Sequence, residues 1–176
     1  MPGTRGAAPS ADWLHLYTEA ARLAFADRAQ YLADPAFVPA PAGGWSSLLN
    51  PAYLRSRAAL IGAQSMKVAQ PGDPAAVRVS NGADHRSPAS LAFASMPDQP
   101  EYGTSHISIV DGRGNALAMT TTIEAVFGAR RMVSTDASRP GGFLLNNELT
   151  DFSFVPADAQ GKPVANRVQP GKRPRS

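Results

Sequence analysis

The chain contains no cysteine, which excludes disulfide staples and thiolate metal sites. Histidine is scarce too. His15, His85 and His106 lie far apart and match no metal-ligand spacing, so neither a metal nor a cofactor is expected. No run of about 18 apolar residues occurs, which excludes a membrane-spanning helix. Met1 to Asp12 holds one arginine and no apolar centre, unlike an export signal. Charge is sparse, at 18% of residues and a net of +3. Its positive excess gathers at Arg167, Lys172, Arg173 and Arg175, where no aromatic residue offers a stacking surface. No nucleic-acid partner is expected, and the stretch reads as solvated.

What the chain has in quantity is punctuation, with 16 prolines and 15 glycines in 176 residues. The length suffices for a domain with a core. Residues 1–10 read as a disordered leader. Trp13, Leu16, Tyr17, Ala20, Leu23 and Ala24 recur at helical spacing, predicting a helix over 11–32 that Asp34-Pro35 stops. Residues 38–47 read as a loop. Asn50-Pro51 pairs an N-cap with proline at the first helical position, opening a helix to about Ile61. Proline, glycine and polar residues dominate 69–100. They predict an extended, mobile connection, suited to a segment leading into a cleavage site.

Beyond it, residues 105–111 and 116–123 are two strand-like runs separated by Gly112-Arg113-Gly114, a hairpin signal. Pairing Asp111 with Asn115 sets Ile107 against Met119 and Ile109 against Leu117 on one apolar face. The other face carries His106 against Thr120 and, at its open end, Thr104 against Thr122. Directly opposed residues hold their Cβ atoms about 4.5–5.5 Å apart, so one threonine hydroxyl is in reach of the other. Thr104 follows Gly103. If that peptide bond is cut, Thr104 gains a free α-amine beside its hydroxyl, one way to activate a weak alcohol as a nucleophile. On the hairpin alone, Thr120-Thr121-Thr122 reads as β-propensity filler.

Gly103-Thr-Ser-His-Ile-Ser-Ile-Val-Asp111, Thr120-Thr-Thr-Ile-Glu124, Phe127-Gly128, Gly142-Phe-Leu-Leu-Asn-Asn-Glu-Leu-Thr-Asp-Phe-Ser153 and Pro170-Gly-Lys-Arg-Pro-Arg-Ser176 together resemble the γ-glutamyltranspeptidases. Upstream, residues 19–28 and Asp34-Pro35-Ala-Phe37-Val38 resemble the end of that family's large subunit. The resemblance implies an α+β fold, part of a four-layer αββα N-terminal-nucleophile hydrolase sandwich. It implies autocatalytic cleavage at Gly103–Thr104. Residues 1–103 then form the C-terminal part of a large subunit, and 104–176 the N-terminal part of a small catalytic one, joined as a heterodimer.

The implied activity is γ-glutamyl transfer from glutathione or related compounds to water or an amine acceptor, with Thr104 as nucleophile and Thr122 as its hydrogen-bonding partner. Glu124, Glu148 and Asp151 match positions that hold the substrate α-ammonium, and Ser176 matches a serine that binds the α-carboxylate. Glu124 departs from the asparagine found in many members. A third acid crowds the pocket, so either one carboxyl is protonated in the empty site or Glu124 points elsewhere. His106 is expected to be structural, and residues 155–169 to be a short lid or, preferably, a plain linker.

The family's substrate-clamping arginine and oxyanion glycine pair have no counterpart here, so the isolated chain is expected to be an inactive internal fragment with Ser176 frayed. By resemblance the complete protein is bacterial and periplasmic or secreted. Two alternatives stay open: a related acylase acting on glutaryl or cephalosporin amides, and an uncleaved, non-catalytic homologue acting in association.

Overall fold

A computed structural model describes residues 8–77, 92–100, 103–134, 138 and 141–175. Among them are two α-helices, several 3-10 turns and two two-stranded antiparallel sheets, a mixed α+β composition. The chain forms two compact units. One comprises residues 1–97 with 155–175, and the other residues 98–154. These units follow packing; the boundary expected at 103/104 is a matter of covalent cleavage, which packing does not address.

The first unit is organised around helix α1, Ala11–Tyr31. Ser10 caps it, its hydroxyl accepting from the Trp13 amide at 3.2 Å, so the leader expected over 1–10 gives way to ordered chain by Ser10. Residues 1–7 lie outside the described residues. The inward face of α1 is unusually polar. Glu19, 1% exposed, accepts from the Ser65 hydroxyl and the Met66 amide, both at 2.8 Å, and pairs with Arg22 at 3.3 Å. The Met66 amide does most to hold its carboxyl below the usual range. Two turns on, Asp27 accepts from Tyr53 Oη at 2.7 Å, from the Gly72 amide at 2.7 Å and from Arg57 at 3.1 Å. Tyr53 and Arg57 belong to helix α2, Pro51–Ala58, which Asn50 caps by accepting from the Ala52 amide at 2.8 Å. α2 ends three residues short of the expected Ile61.

The expectation of a mobile connection over 69–100 is corrected wherever that segment is described; residues 78–91 lie outside the described residues. Gly72 is held at both ends, its amide by Asp27 and its carbonyl by Tyr31 Oη at 2.5 Å. Farther on, the Met96 amide donates to the Ala29 carbonyl at 3.0 Å, and Gln30 donates to the Phe93 carbonyl at 2.7 Å. Ala94 bridges to Val164 in parallel, and Ala94, Met96 and Val164 form a buried cluster against Ala29. The linker expected over 155–169 is corrected by the same contacts. Val164, Ala165 and Asn166 are each 1% exposed, because this irregular segment supplies apolar cover to the C-terminal end of α1.

In the second unit, β1 (Ser105–Val110) pairs with β2 (Ala116–Thr121) in the expected register, from Val110 opposite Ala116 to Ser105 opposite Thr121. Asp111 builds the turn. Its carboxylate accepts from the Arg113 and Asn115 amides at 2.8 and 2.9 Å and from the Asn115 side chain at 2.7 Å. Gly114 takes the left-handed conformation, φ +84°, that three-residue loops need. Ile107, Ile109, Leu117 and Met119 share one face and remain 40–52% exposed. A second ribbon, β3 (Met132–Val133) with β4 (Phe143–Leu144), follows. The chain reaches it through Gly128, φ +50°, where any Cβ would collide with the Leu145 carbonyl oxygen. That close approach lets the Ala129 amide donate to the same oxygen at 2.8 Å.

Candidate active site

The β1–β2 ladder ends at Ser105 opposite Thr121, so Thr104 and Thr122 are the next facing positions beyond it. Both are exposed. Gly103 is exposed as well, with nothing within 4 Å of the position a Cβ would take, and the Gly103–Thr104 peptide therefore lies open. His106 sits one position inside the ladder, its Nδ1 2.8 Å from Thr120 Oγ1. A strand returns to the same face every second residue, so Thr104 and His106 share a face with Thr120 and Thr122.

After Thr122 the chain turns sharply. The Thr122 hydroxyl oxygen accepts from the Glu124 amide at 2.8 Å, and Glu124 adopts φ +68°. That conformation is uncommon for a residue bearing a Cβ. Here it is held by Asn147. The Asn147 side chain donates to Glu124 Oε2 and accepts from the Ala125 amide at 3.0 Å. Its own amide donates to the Ile123 carbonyl at 3.3 Å. Glu124 is thereby drawn inward to 7% exposure.

Asn147 also opens the 3-10 turn Glu148–Asp151 that carries the other two acids. Thr150 steadies this turn by donating from its hydroxyl to the Asn147 carbonyl at 2.9 Å. Gln99 anchors its far end, donating to the Thr150 and Phe152 carbonyls at 2.8 and 3.0 Å. Burial pushes the Glu148 carboxyl up from its ordinary value; a hydrogen bond with Asp151 and the negative charges of Asp151 and Glu124 push it further. A carboxyl raised in this way favours a nearby cation, because an incoming ammonium offsets the negative charge that its neighbours place around it.

The structure thus brings Glu124, Glu148 and Asp151 into mutual electrostatic reach, and it sets Thr104 and Thr122 at the open end of the hairpin that leads to them. Ser176 lies outside the described residues. Asn147 was missed by the sequence reading, although it stands inside the Asn146-Asn147-Glu148 run; nothing local shows that its amide bridges to a residue 23 positions away. The basic stretch expected to be solvated is corrected in part. Lys172 is 7% exposed, its ammonium donating to the carbonyls of Ala165 and Arg167, and Arg173 pairs with Asp34 at 3.0 Å. Among the described residues no group of histidine and acidic side chains is arranged to hold a metal, and no helix is long and apolar enough to cross a membrane.

Comparison with known proteins gives the chain's family. A protein-family model described as gamma-glutamyltranspeptidase matches residues 3–176. The chain is 39% identical over 163 residues to the glutathione hydrolase proenzyme of Bacillus subtilis (strain 168), covering 92% of this chain and 24% of that protein. It is 36% identical over 168 residues to the glutathione hydrolase proenzyme of Pseudomonas aeruginosa, covering 93% and 25%. Against the Acylase ACY 1 proenzyme of Pseudomonas sp. (strain V22) the identity is 32% over 164 residues, covering 93% and 23%. The chain therefore spans about a quarter of the length of the curated relatives it matches. A family match over nearly its whole length shows that the chain belongs to the γ-glutamyltranspeptidase family.

Proposed function

We propose that the full-length protein transfers γ-glutamyl groups from glutathione or a related donor to water or an amine, within a four-layer αββα sandwich. Cleavage at Gly103–Thr104 frees the Thr104 α-amine, whose reference pKa of about 7.7–8.0 suits a proton acceptor at neutral pH. The amine takes the hydroxyl proton as Thr104 Oγ1 attacks the donor γ-carbonyl. The γ-glutamyl ester so formed passes to water or an acceptor amine, and the proton leaves with the departing amine of the donor. The Thr122 hydroxyl accepts from the Glu124 amide, which orients it and leaves its proton free to be donated to Thr104. Glu124, Glu148 and Asp151 hold the α-ammonium, and Ser176 contacts the α-carboxylate.

The observation that carries this reading is Glu148 set near Asp151 and Glu124, its carboxyl raised by burial and further by those two acids. The acylase relatives raise a second reading, a glutaryl or similar amide donor. A donor without an α-ammonium gains nothing from those carboxyls, and one with a free carboxylate is repelled by them. The cationic donor is therefore favoured.

The test is intact mass and N-terminal sequencing of the full-length protein, together with turnover of a γ-glutamyl anilide. The expected result is two pieces, one beginning at Thr104, and turnover that Thr104→Ala abolishes along with cleavage. A single uncut wild-type chain without turnover would defeat the reading.

A further inference from the structure

We propose that Asn147 is a positioning residue for recognition of the donor α-ammonium, one that acts through Glu124. It fastens the turn bearing Glu124 to the turn bearing Glu148 and Asp151. This role rests on the γ-glutamyl reading above and deepens it. Every hydrogen-bonding group of Asn147 is engaged, and the partners lie on both turns. On the first turn, its main-chain amide donates to the Ile123 carbonyl at 3.3 Å. Its side-chain oxygen accepts from the Ala125 amide at 3.0 Å, and its side-chain nitrogen donates to Glu124 Oε2. On the second turn, its carbonyl accepts from the Thr150 amide at 3.1 Å and from the Thr150 hydroxyl at 2.9 Å. Three consecutive residues, Ile123 to Ala125, are thus tied to the residue that opens the Glu148–Asp151 turn. The side-chain amide has one workable orientation. A flip would set its oxygen against the Glu124 carboxylate and its nitrogen against the Ala125 N–H, opposing like to like at both ends.

What these bonds fix is Glu124 itself. Its φ of +68° is uncommon for a residue with a Cβ, and the bonds at Ile123 and Ala125 hold the backbone on either side of it. Asn147 occupies Oε2. No hydrogen bond to Oε1 is made among the described residues, although Glu124 is 7% exposed. A buried carboxylate oxygen without a donor favours a cation, which supplies both the charge and the hydrogen bond it lacks. Glu148 feels the charge of Glu124 and is therefore near enough to share that cation. Asn147 touches no reacting atom.

The experiment measures steady-state turnover of a γ-glutamyl anilide by the full-length protein, with intact mass to follow cleavage. Asn147→Ala is expected to raise KM about tenfold or more and to leave kcat within about twofold. KM does not depend on how much enzyme is folded, whereas apparent kcat does. A merely structural role therefore moves kcat and spares KM. Asn147→Ser restores a polar group at the head of the turn without an amide nitrogen for Glu124. It is expected to raise KM in the same way, and it keeps the proposal testable if Asn147→Ala does not fold. Adding Asn147→Ala to Glu124→Gln should raise KM little beyond Glu124→Gln alone. KM unchanged in both Asn147 variants, cleavage lost in both, or KM rises that multiply in the double variant would overturn the role and leave the γ-glutamyl reading standing. A wild-type protein that does not turn over the anilide would overturn that reading and the role with it.

Discussion

Exchanging Asn147 for aspartate changes one amide nitrogen into an oxygen and sets a carboxylate against Glu124, which now accepts from that amide. At a hydrogen-bond separation of about 3 Å, two full negative charges repel by about 5.5 kcal/mol at an effective dielectric of 20. The pair has a cheaper course, which is to bind a proton. From a reference carboxylate pKa of about 4.3, holding a proton costs about 3.7 kcal/mol at pH 7 and about 1 kcal/mol at pH 5. Protonation therefore wins at both pH values, and the penalty becomes pH-dependent. The folded variant binds a proton that its unfolded chain releases above about pH 4.3, so its stability falls relative to wild type as pH rises through that window. Asn147→Ala, by contrast, strips partners from Glu124 and the Ala125 amide without adding charge, for about 1–3 kcal/mol at either pH. Urea unfolding of the full-length protein and both variants at pH 5 and pH 7 reads the difference directly. The aspartate variant should lose up to about 2.7 kcal/mol more at pH 7 than at pH 5, and the alanine variant should show no such change. Equal pH-independent losses in both variants would refute the assignment of Asn147 as the donor that pins Glu124.

Two further outcomes follow from the same unit. Gly128→Ala places a Cβ on the Leu145 carbonyl oxygen at a positive φ. It should lower the thermal midpoint and weaken donor binding together, since the displaced strand leads into the acidic turn; an unchanged midpoint would count against the close approach. Because burial and its acidic neighbours raise the Glu148 carboxyl, this group stabilises the fold fully below its unfolded value, and that contribution is lost as pH rises through the folded value. Glu148→Gln should flatten this part of the stability curve for the free protein, and a γ-glutamyl donor should flatten it in the wild type; a curve unaltered by either change would count against the coupling.

Much of the site was legible because its geometry is local. The hairpin register follows from two-residue alternation and a Gly-Arg-Gly turn, and one-residue slippage would turn the Ile107, Ile109, Leu117 and Met119 face inside out. The cap expected at Asn50 acts over two residues. The acids at 124, 148 and 151 were found through the family's motifs, since no periodicity marks them. The misreadings fell on irregular chain. Residues 155–169 carry neither alternation nor helical spacing, and the basic run after them has the composition of a solvated tail.

Sequence by itself therefore determined the elements whose causes lie within a turn or a strand pair: the helix after Ser10, and the hairpin with its register up to Ser105 opposite Thr121. Tertiary structure alone decided what holds those elements in service. Asn147 reaches across 23 residues to set Glu124, and Asp34 reaches across 139 to hold Arg173. The physical reason is common to both. A buried polar group must find a partner wherever the fold supplies one, and that partner's place in the chain leaves no local pattern.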